Sequence, residues 1–298
     1  MMNKKILVLG STGMLGNAVF RFLSINQQFQ VFATMRHTQD KRFFETELHD
    51  HIITNVDVLN NDALMDVFAE VNPDIVINCI GLIKQHAIAK DPLITLPINA
   101  ILPHRLVKLC TLSAARLIHI STDCVFSGRK GMYKETDLSD AEDLYGKSKF
   151  IGELNDLTNA VTLRTSIIGH ELNSNYALID WFLSQQGSIK GYKKAIFSGL
   201  PTIELARVIA EFVIPNDNLS GLYHVSADPI DKFSLLKLVA ETYGKVIDII
   251  PDEHLCIDRS LDSTRFKEAS GYIPPSWPDL ILKMKAFNRF NLDTKSHV

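Results

Sequence analysis

The chain reads as an α/β protein, a doubly wound parallel sheet followed by a smaller carboxy-terminal lobe. Three observations lead there. Short β-branched runs alternate with longer amphipathic segments from the amino terminus to about Arg164, the rhythm of parallel strands joined by crossover helices. Three of the strand-like runs, ILVL, IVI and LIHI, are apolar nearly throughout, as strands covered by helices on both faces are. The 298 residues, 46% hydrophobic and 22% charged, suffice to bury a large core.

The first strand, Lys5 to Leu9, is expected at the centre of the sheet because it carries no polar face. It stops at Gly10, and a helix is expected from Met14 to Leu23. Strands at Gln30 to Thr34 and Ile52 to Val56 follow, then a helix at Asp62 to Glu70 and a strand at Asp74 to Asn78. A helix at Ile101 to Leu112, a strand at Leu117 to Ile120, a helix at Gly146 to Leu157 and a strand at Val161 to Leu163 complete a first unit, residues 1–165. Right-handed crossovers would return each strand parallel to its predecessor. Residues 166–298 form the smaller lobe, with helices at Leu178 to Gln185, Ile203 to Val213 and Ser234 to Tyr243. The short run LYHV, Leu222 to Val225, could return to the first sheet. The closing NLDTKSHV is polar enough to fray.

Bulk properties remove several function classes. A net charge of −3 offers no global attraction to nucleic acid or an anionic membrane. Cys79, Cys110, Cys124 and Cys256 show neither CxxC nor zinc spacing, which suits thiols in a reducing cytoplasm. The apolar run in MMNKKILVLGSTG is too short for a signal peptide, and no stretch is expected to reach the roughly 20 apolar residues of a membrane span. A cytoplasmic protein is expected.

The stretch GSTGMLG places glycines at 10, 13 and 16 between a strand and a helix. A helix amino terminus presents unpaired N–H groups and partial positive charge, so a phosphate fits over such a turn. Gly10 would allow the turn, Gly13 the approach of a pyrophosphate, and Gly16 close packing of helix on sheet, the fingerprint of a Rossmann dinucleotide site. Thr12, Met14 and Leu15 line the same turn. Strand two ends at Thr34, and Met35 and Arg36 follow where an NAD site usually carries an acid. A hydroxyl and a guanidinium there could accept a 2′-phosphate, which favours NADP, used as NADPH, with NADH as the alternative. A merely solvated Arg36 is the other reading. Asp57 could reach the adenine amino group or cap a turn.

Past strand LIHI comes STDCVFSGRKGMYKETD, then DLYGKSKFIGE. Tyr145 and Lys149, four apart, share a helix face, so the ammonium could stabilise the phenolate and lower the tyrosine pKa toward a usable range. Alone, YxxxK is a weak signal. With GSTGMLG before it and LRTSIIG, GLYHVS and LDSTRF after it, the chain resembles the extended short-chain dehydrogenase/reductases, and within them the dTDP-4-dehydrorhamnose reductases and their relatives.

By position, the resemblance implies that Tyr145 donates a proton to a carbonyl oxygen, that Thr122 hydrogen-bonds that oxygen, and that Lys149 tunes Tyr145 and holds the nicotinamide ribose. It assigns Val58, Cys79, Gly81 and Asn99 to the cofactor and Lys84, Cys124 and Arg265 to the substrate. Asn99 could equally be a capping amide. Ser121 competes with Thr122, but strand alternation lets one of the two face the pocket. Cys124 stands where the rhamnose-type reductases usually carry an aromatic residue and where the similar dehydratases carry a glutamate, which argues against water elimination. A thiol filling the pocket wall and an epimerase thiol paired with His170 are its two readings. His86, His104, His119 and His224 are read as solvated or structural, and Glu135 and Asp137 as surface turn residues. No HExxH or clustered ligand set points to a metal.

The resemblance thus implies an NADPH-dependent reductase of the 4-keto group of a nucleotide-linked 6-deoxyhexose, with a nucleotide sugar as its partner. A bifunctional epimerase/reductase and a non-catalytic NADP-binding regulatory subunit are the alternatives. A homodimer stays open, since helices beside the glycine turn and Tyr145 could face solvent or a second subunit.

Overall fold

The computed structural model describes residues 3–82 and 87–295. Its centre is a seven-stranded sheet. In chain order the strands are β1 (Lys4–Leu9), β2 (Phe29–Thr34), β3 (Ile52–Ile53), β4 (Ile75–Asn78), β5 (Arg116–Thr122) and β6 (Ala160–Thr165), and Gly221–His224 is the seventh. They lie in the order Gly221–His224, β6, β5, β4, β1, β2, β3, and every pairing is parallel. The order reverses between β1 and β4, which opens a crevice at their carboxyl ends.

Alternation along β1 explains its uniform apolarity. Ile6 and Val8 pack with Leu15, Ala18 and Val19 of helix α1 (Met14–Ser24), while Leu7 and Leu9 pack with Leu64 and Val67 of α2 (Asn61–Val71). Both faces are covered, so neither tolerates a polar residue. Asn60 starts α2 by accepting the N–H groups of Asp62 and Ala63, at 2.9 and 3.3 Å. The third strand is shorter than its apolar run because Asn55 adopts φ +62°, which breaks the ladder after Ile53.

Asp91 caps the helical segment Pro92–Leu112, built from α3 (Pro92–Thr95), a π turn over Leu96–Ile101 and α4 (Leu102–Leu112). It starts about nine residues before the expected helix. By length and composition alone these 21 residues could cross a membrane, which corrects the expectation that no stretch would. Their apolar content is accounted for by packing, since Leu102, Leu106, Val107 and Cys110 are buried against the sheet. Helix α5 (Leu144–Ile151) is shorter than its sequence pattern, and at Gly152, where it stops, a Cβ would lie 2.1 Å from the Asn99 carbonyl oxygen.

Beyond β6 the chain alternates between the two halves. The helical run Thr202–Val213 sets Leu205, Ala206 and Ile209 against the α1 side of the core, and Gly221–His224 pairs with β6. A cut at residue 165 therefore leaves part of the sheet's cover on the far side. The smaller lobe has its own core of Ile179, Phe182, Phe197, Leu236 and Val239, built on helices Leu178–Ser184 and Lys232–Tyr243. Helices Thr264–Ser270 and Trp277–Lys295 escaped the sequence reading, and the second carries most of the tail expected to fray.

At Gly16 a Cβ would lie 2.1 Å from the Gly10 carbonyl oxygen, and at Gly13 3.4 Å from the same atom. Gly16→Ala is therefore expected to cost about 1–3 kcal/mol in urea denaturation, and Gly13→Ala less than about 1 kcal/mol.

Candidate active site

The glycine turn leaves β1 with Gly10 at φ +86°, where an added Cβ would strike Ile80 at 2.7 Å. Gly13 N–H donates to the Gly10 carbonyl at 3.1 Å, and no side chain caps α1 at Gly13. The first-turn N–H groups of α1 thus meet a surface that glycines keep clear of Cβ atoms, an arrangement that fits a pyrophosphate. Thr12 and Met14 are half-buried at its rim, whereas Leu15 lies in the core and can offer only its backbone.

At the end of β2, Thr34 is buried, and its carbonyl accepts Ser11 N–H at 3.2 Å and Ser11 Oγ at 3.0 Å. Arg36 is exposed. Asp57 is also exposed and accepts Leu59 N–H at 2.9 Å, the turn-capping role, and Val58 beside it is buried.

Across the crevice, Cys79 donates its N–H to the Leu9 carbonyl at 3.2 Å. Burial pushes its thiol up to about 12, against the pull of Lys149. The Asn99 amide, carried on the π turn, accepts Leu82 N–H at 2.9 Å and donates to Ser148 Oγ at 3.2 Å. It ties the β4 exit to α5. A Cβ at Gly81 would lie 3.5 Å from Asn99 Oδ1 and 3.8 Å from Lys149 Nζ, so Gly81, Asn99 and Lys149 converge. Lys149 Nζ donates to the Ile120 carbonyl at 2.7 Å.

Strand β5 and helix α5 meet at the remaining groups. Ser121 turns away from the crevice and donates to Glu153 at 2.7 Å, whereas Thr122 Oγ1 accepts Cys124 N–H at 3.1 Å, donates to Asp123 Oδ1 at 3.2 Å and is one of the groups acting on the buried Tyr145 phenol. The approach depends on Gly146, where a Cβ would sit 2.2 Å from the Cys124 carbonyl oxygen. Burial raises the Tyr145 pKa well above its ordinary value, and Cys124, Asp123 and Asp143 raise it further while Thr122 opposes them. The expectation that Lys149 would lower the tyrosine pKa is corrected: the pKa is raised, because burial outweighs the neighbouring charges, and the Lys149 ammonium donates to the Ile120 carbonyl.

Sequence reasoning missed three charged residues here. Asp123 is buried, and burial pushes its carboxyl up against the opposing influence of Arg259, Cys124, Thr122 and Lys232. Lys232 and Arg259 come from the smaller lobe, more than 100 positions later, and no local pattern marks them. Arg259 is fastened through Nε to the Phe126 carbonyl at 2.7 Å. Burial lowers the Lys232 pKa while Asp123 and Cys124 hold it up.

Other assignments part from the structure. Arg265 stacks at 4.7 Å over Tyr223 on the edge strand, not with Thr122 or Tyr145. His170 is committed to Asp180 at 2.5 Å and Tyr243 at 2.8 Å, so it is no partner for Cys124. Glu135 is more than a surface turn residue, since it accepts the His224 N–H at 2.8 Å. Lys84 and His86 lie outside the described residues.

Residues 4–251 match the family described as RmlD substrate binding domain. The dTDP-4-dehydrorhamnose reductase of Aggregatibacter actinomycetemcomitans is 25% identical over 308 aligned positions, covering 95% of this chain and 99% of its own. The methionine adenosyltransferase 2 subunit beta of Bos taurus is 24% identical, covering 85% of this chain and 75% of its own. Among solved structures, dTDP-4-dehydrorhamnose reductase from Bacillus anthracis in complex with NADP superposes with a TM-score of 0.76 at 22% identity, covering 95% and 99% of the two chains.

Gly146→Ala must push α5 off the Cys124 carbonyl. It is expected to lower kcat on the order of a hundredfold, measured as NADPH oxidation with a nucleotide 4-keto sugar; an unchanged kcat would show that this contact does not position Tyr145.

Proposed function

The chain belongs to the RmlD substrate binding domain family, and from that premise we propose that it reduces the 4-keto group of a nucleotide-linked 6-deoxyhexose with NADPH. The observation that carries the reading is the buried Tyr145 phenol with Thr122 among the groups acting on it, beside an uncapped, glycine-lined helix start. NADPH, when bound, supplies the hydride that adds to the carbonyl carbon.

The remaining work falls to the chain. Tyr145 donates its phenolic proton to the carbonyl oxygen as charge develops there, and its raised pKa keeps that proton available across the neutral range. Thr122 Oγ1, which donates to Asp123, turns that proton to the same oxygen and fixes the carbonyl within reach of the donor. Lys149, Asn99 and Gly81 form the wall that takes the nicotinamide ribose, and the α1 amino terminus takes the pyrophosphate. Arg36 is the cation for a 2′-phosphate. Lys232 and Arg259 outnumber the single carboxylate of Asp123, so this wall of the crevice suits an anionic substrate such as a sugar nucleotide. Cys124 beside them fills the pocket wall.

Tyr145→Phe and Thr122→Val are expected to lower kcat about 10²- to 10⁴-fold with NADPH binding retained, followed by NADPH absorbance and fluorescence. Tight NADPH binding without turnover on any nucleotide 4-keto sugar would instead favour the regulatory-subunit reading; the bovine relative is itself named as a subunit of methionine adenosyltransferase 2. Exchange of a C3 or C5 proton with solvent deuterium, lost in Cys124→Ala, would favour the epimerase/reductase.

The pH dependence follows from the two buried groups. Tyr145 keeps its proton through the neutral range, while burial pulls Lys149 down to about 8. Turnover is therefore expected to hold below that pH and to decline above it as Lys149 loses its charge; a profile rising through pH 8 would contradict the assignment.

A further inference from the structure

One buried charge has no place in the reduction as described. Glu153 lies four residues past Lys149, just beyond the end of α5, with its side chain fully covered. Its Oε1 accepts Ser121 Oγ at 2.7 Å and Arg164 Nε at 2.9 Å, and its Oε2 accepts the Arg164 guanidinium at 2.6 Å. Lys149 Nζ is bonded to the Ile120 carbonyl. The carboxylate and the ammonium are thus fastened to consecutive residues of the strand that ends in Thr122.

We propose that Glu153 is a positioning residue for this site, the counter-charge that keeps Lys149 protonated in a buried wall while its bond to Ser121 holds the strand carrying Thr122. The inference rests on the reading of Tyr145 and Lys149 given above. An ammonium removed from water loses its charge readily unless an anion faces it. The groups acting on Lys149 are burial, which lowers its pKa, and Glu153 and Cys79, which raise it. The Cys79 thiol titrates at about 12 and is neutral near pH 7. His119, facing Lys149 from β5, is neutral as well, since burial and the Lys149 charge lower its pKa. Arg164 on β6 and His224 behind it face Glu153, and His224 is held neutral by burial and by Arg164. Of the two side chains that raise the Lys149 pKa, Glu153 is therefore the carboxylate.

A purely structural Glu153–Arg164 pair would tie α5 to β6 and leave Lys149 alone, and the two roles separate by titration. The full chain without NADPH, carrying lysine labelled with 13C at Cε, is titrated by NMR, with the Lys149 signal identified by its loss in Lys149→Met. The wild-type midpoint is expected near 8, and Glu153→Gln is expected to lower it by roughly one unit or more. Because Glu153→Gln leaves Arg164 buried without its partner, Glu153→Gln/Arg164→Met removes both charges and keeps the volume. It is expected to lower the midpoint in the same direction, since Arg164 is not among the groups acting on Lys149. Glu153→Asp should restore most of the shift. The alkaline limb of kcat should move with the NMR midpoint. A midpoint unchanged in the double variant would overturn the proposal. Full turnover in Tyr145→Phe would instead overturn the reading of the site, and the titration, which uses no NADPH, would stand apart from it.

Discussion

The close seat of α5 on the exit of β5 is the constraint on which the rest of the site depends. Gly146 allows the helix backbone to touch the Cys124 carbonyl, and any larger residue would fill that gap. The seat brings a phenol to a threonine hydroxyl from a strand and a helix that share no local sequence. At the other end of α5, Gly152 packs equally closely on the Asn99 backbone, so the helix is fitted at both ends and its register relative to β5 has little freedom. A rigid helix between two close contacts is how a short element holds two functional side chains four positions apart.

Behind the strand, the Ser121–Glu153–Arg164–His224 chain supplies what apolar packing cannot. Arg164 also lies 5.0 Å over the Phe126 ring, which stacks on Tyr133 at 4.1 Å. Breaking such a pair by removing one partner typically costs about 3–5 kcal/mol, whereas a well-packed apolar replacement of both is often tolerated. Net stability is therefore a weak reason for so much buried charge. Its placement one residue from Lys149's anchor gives it an electrostatic reason.

The two lobes are joined where the substrate crevice opens. Residues that follow Thr122 are strapped to the smaller lobe by hydrogen bonds from Asp258 N–H to Gly128, from Tyr133 N–H to Ser260 and from Asp262 N–H to Tyr133. Gly128 and Gly131, both at positive φ, permit that docking. The strap carries Arg259 to Asp123. Two cations, Lys232 and Arg259, and one buried carboxylate, Asp123, thus meet between the lobes.

Local patterning was enough to read the sheet, the glycine turn and the Tyr145–Lys149 helix, because strand apolarity, a glycine at each close approach and a four-residue helical spacing are written within a few residues of one another. What lay outside local pattern was decided by packing. The direction of the Lys149 ammonium, the burial of Thr34 and the stacking of Arg265 on Tyr223 follow from neighbours far along the chain. The convergence of Asp123, Lys232 and Arg259 joins positions more than 100 residues apart, and the charge states of Tyr145 and Lys149 are set by desolvation. Sequence spacing specifies which side chains can share a face; only the folded chain specifies which water is excluded and which charges are left to face one another.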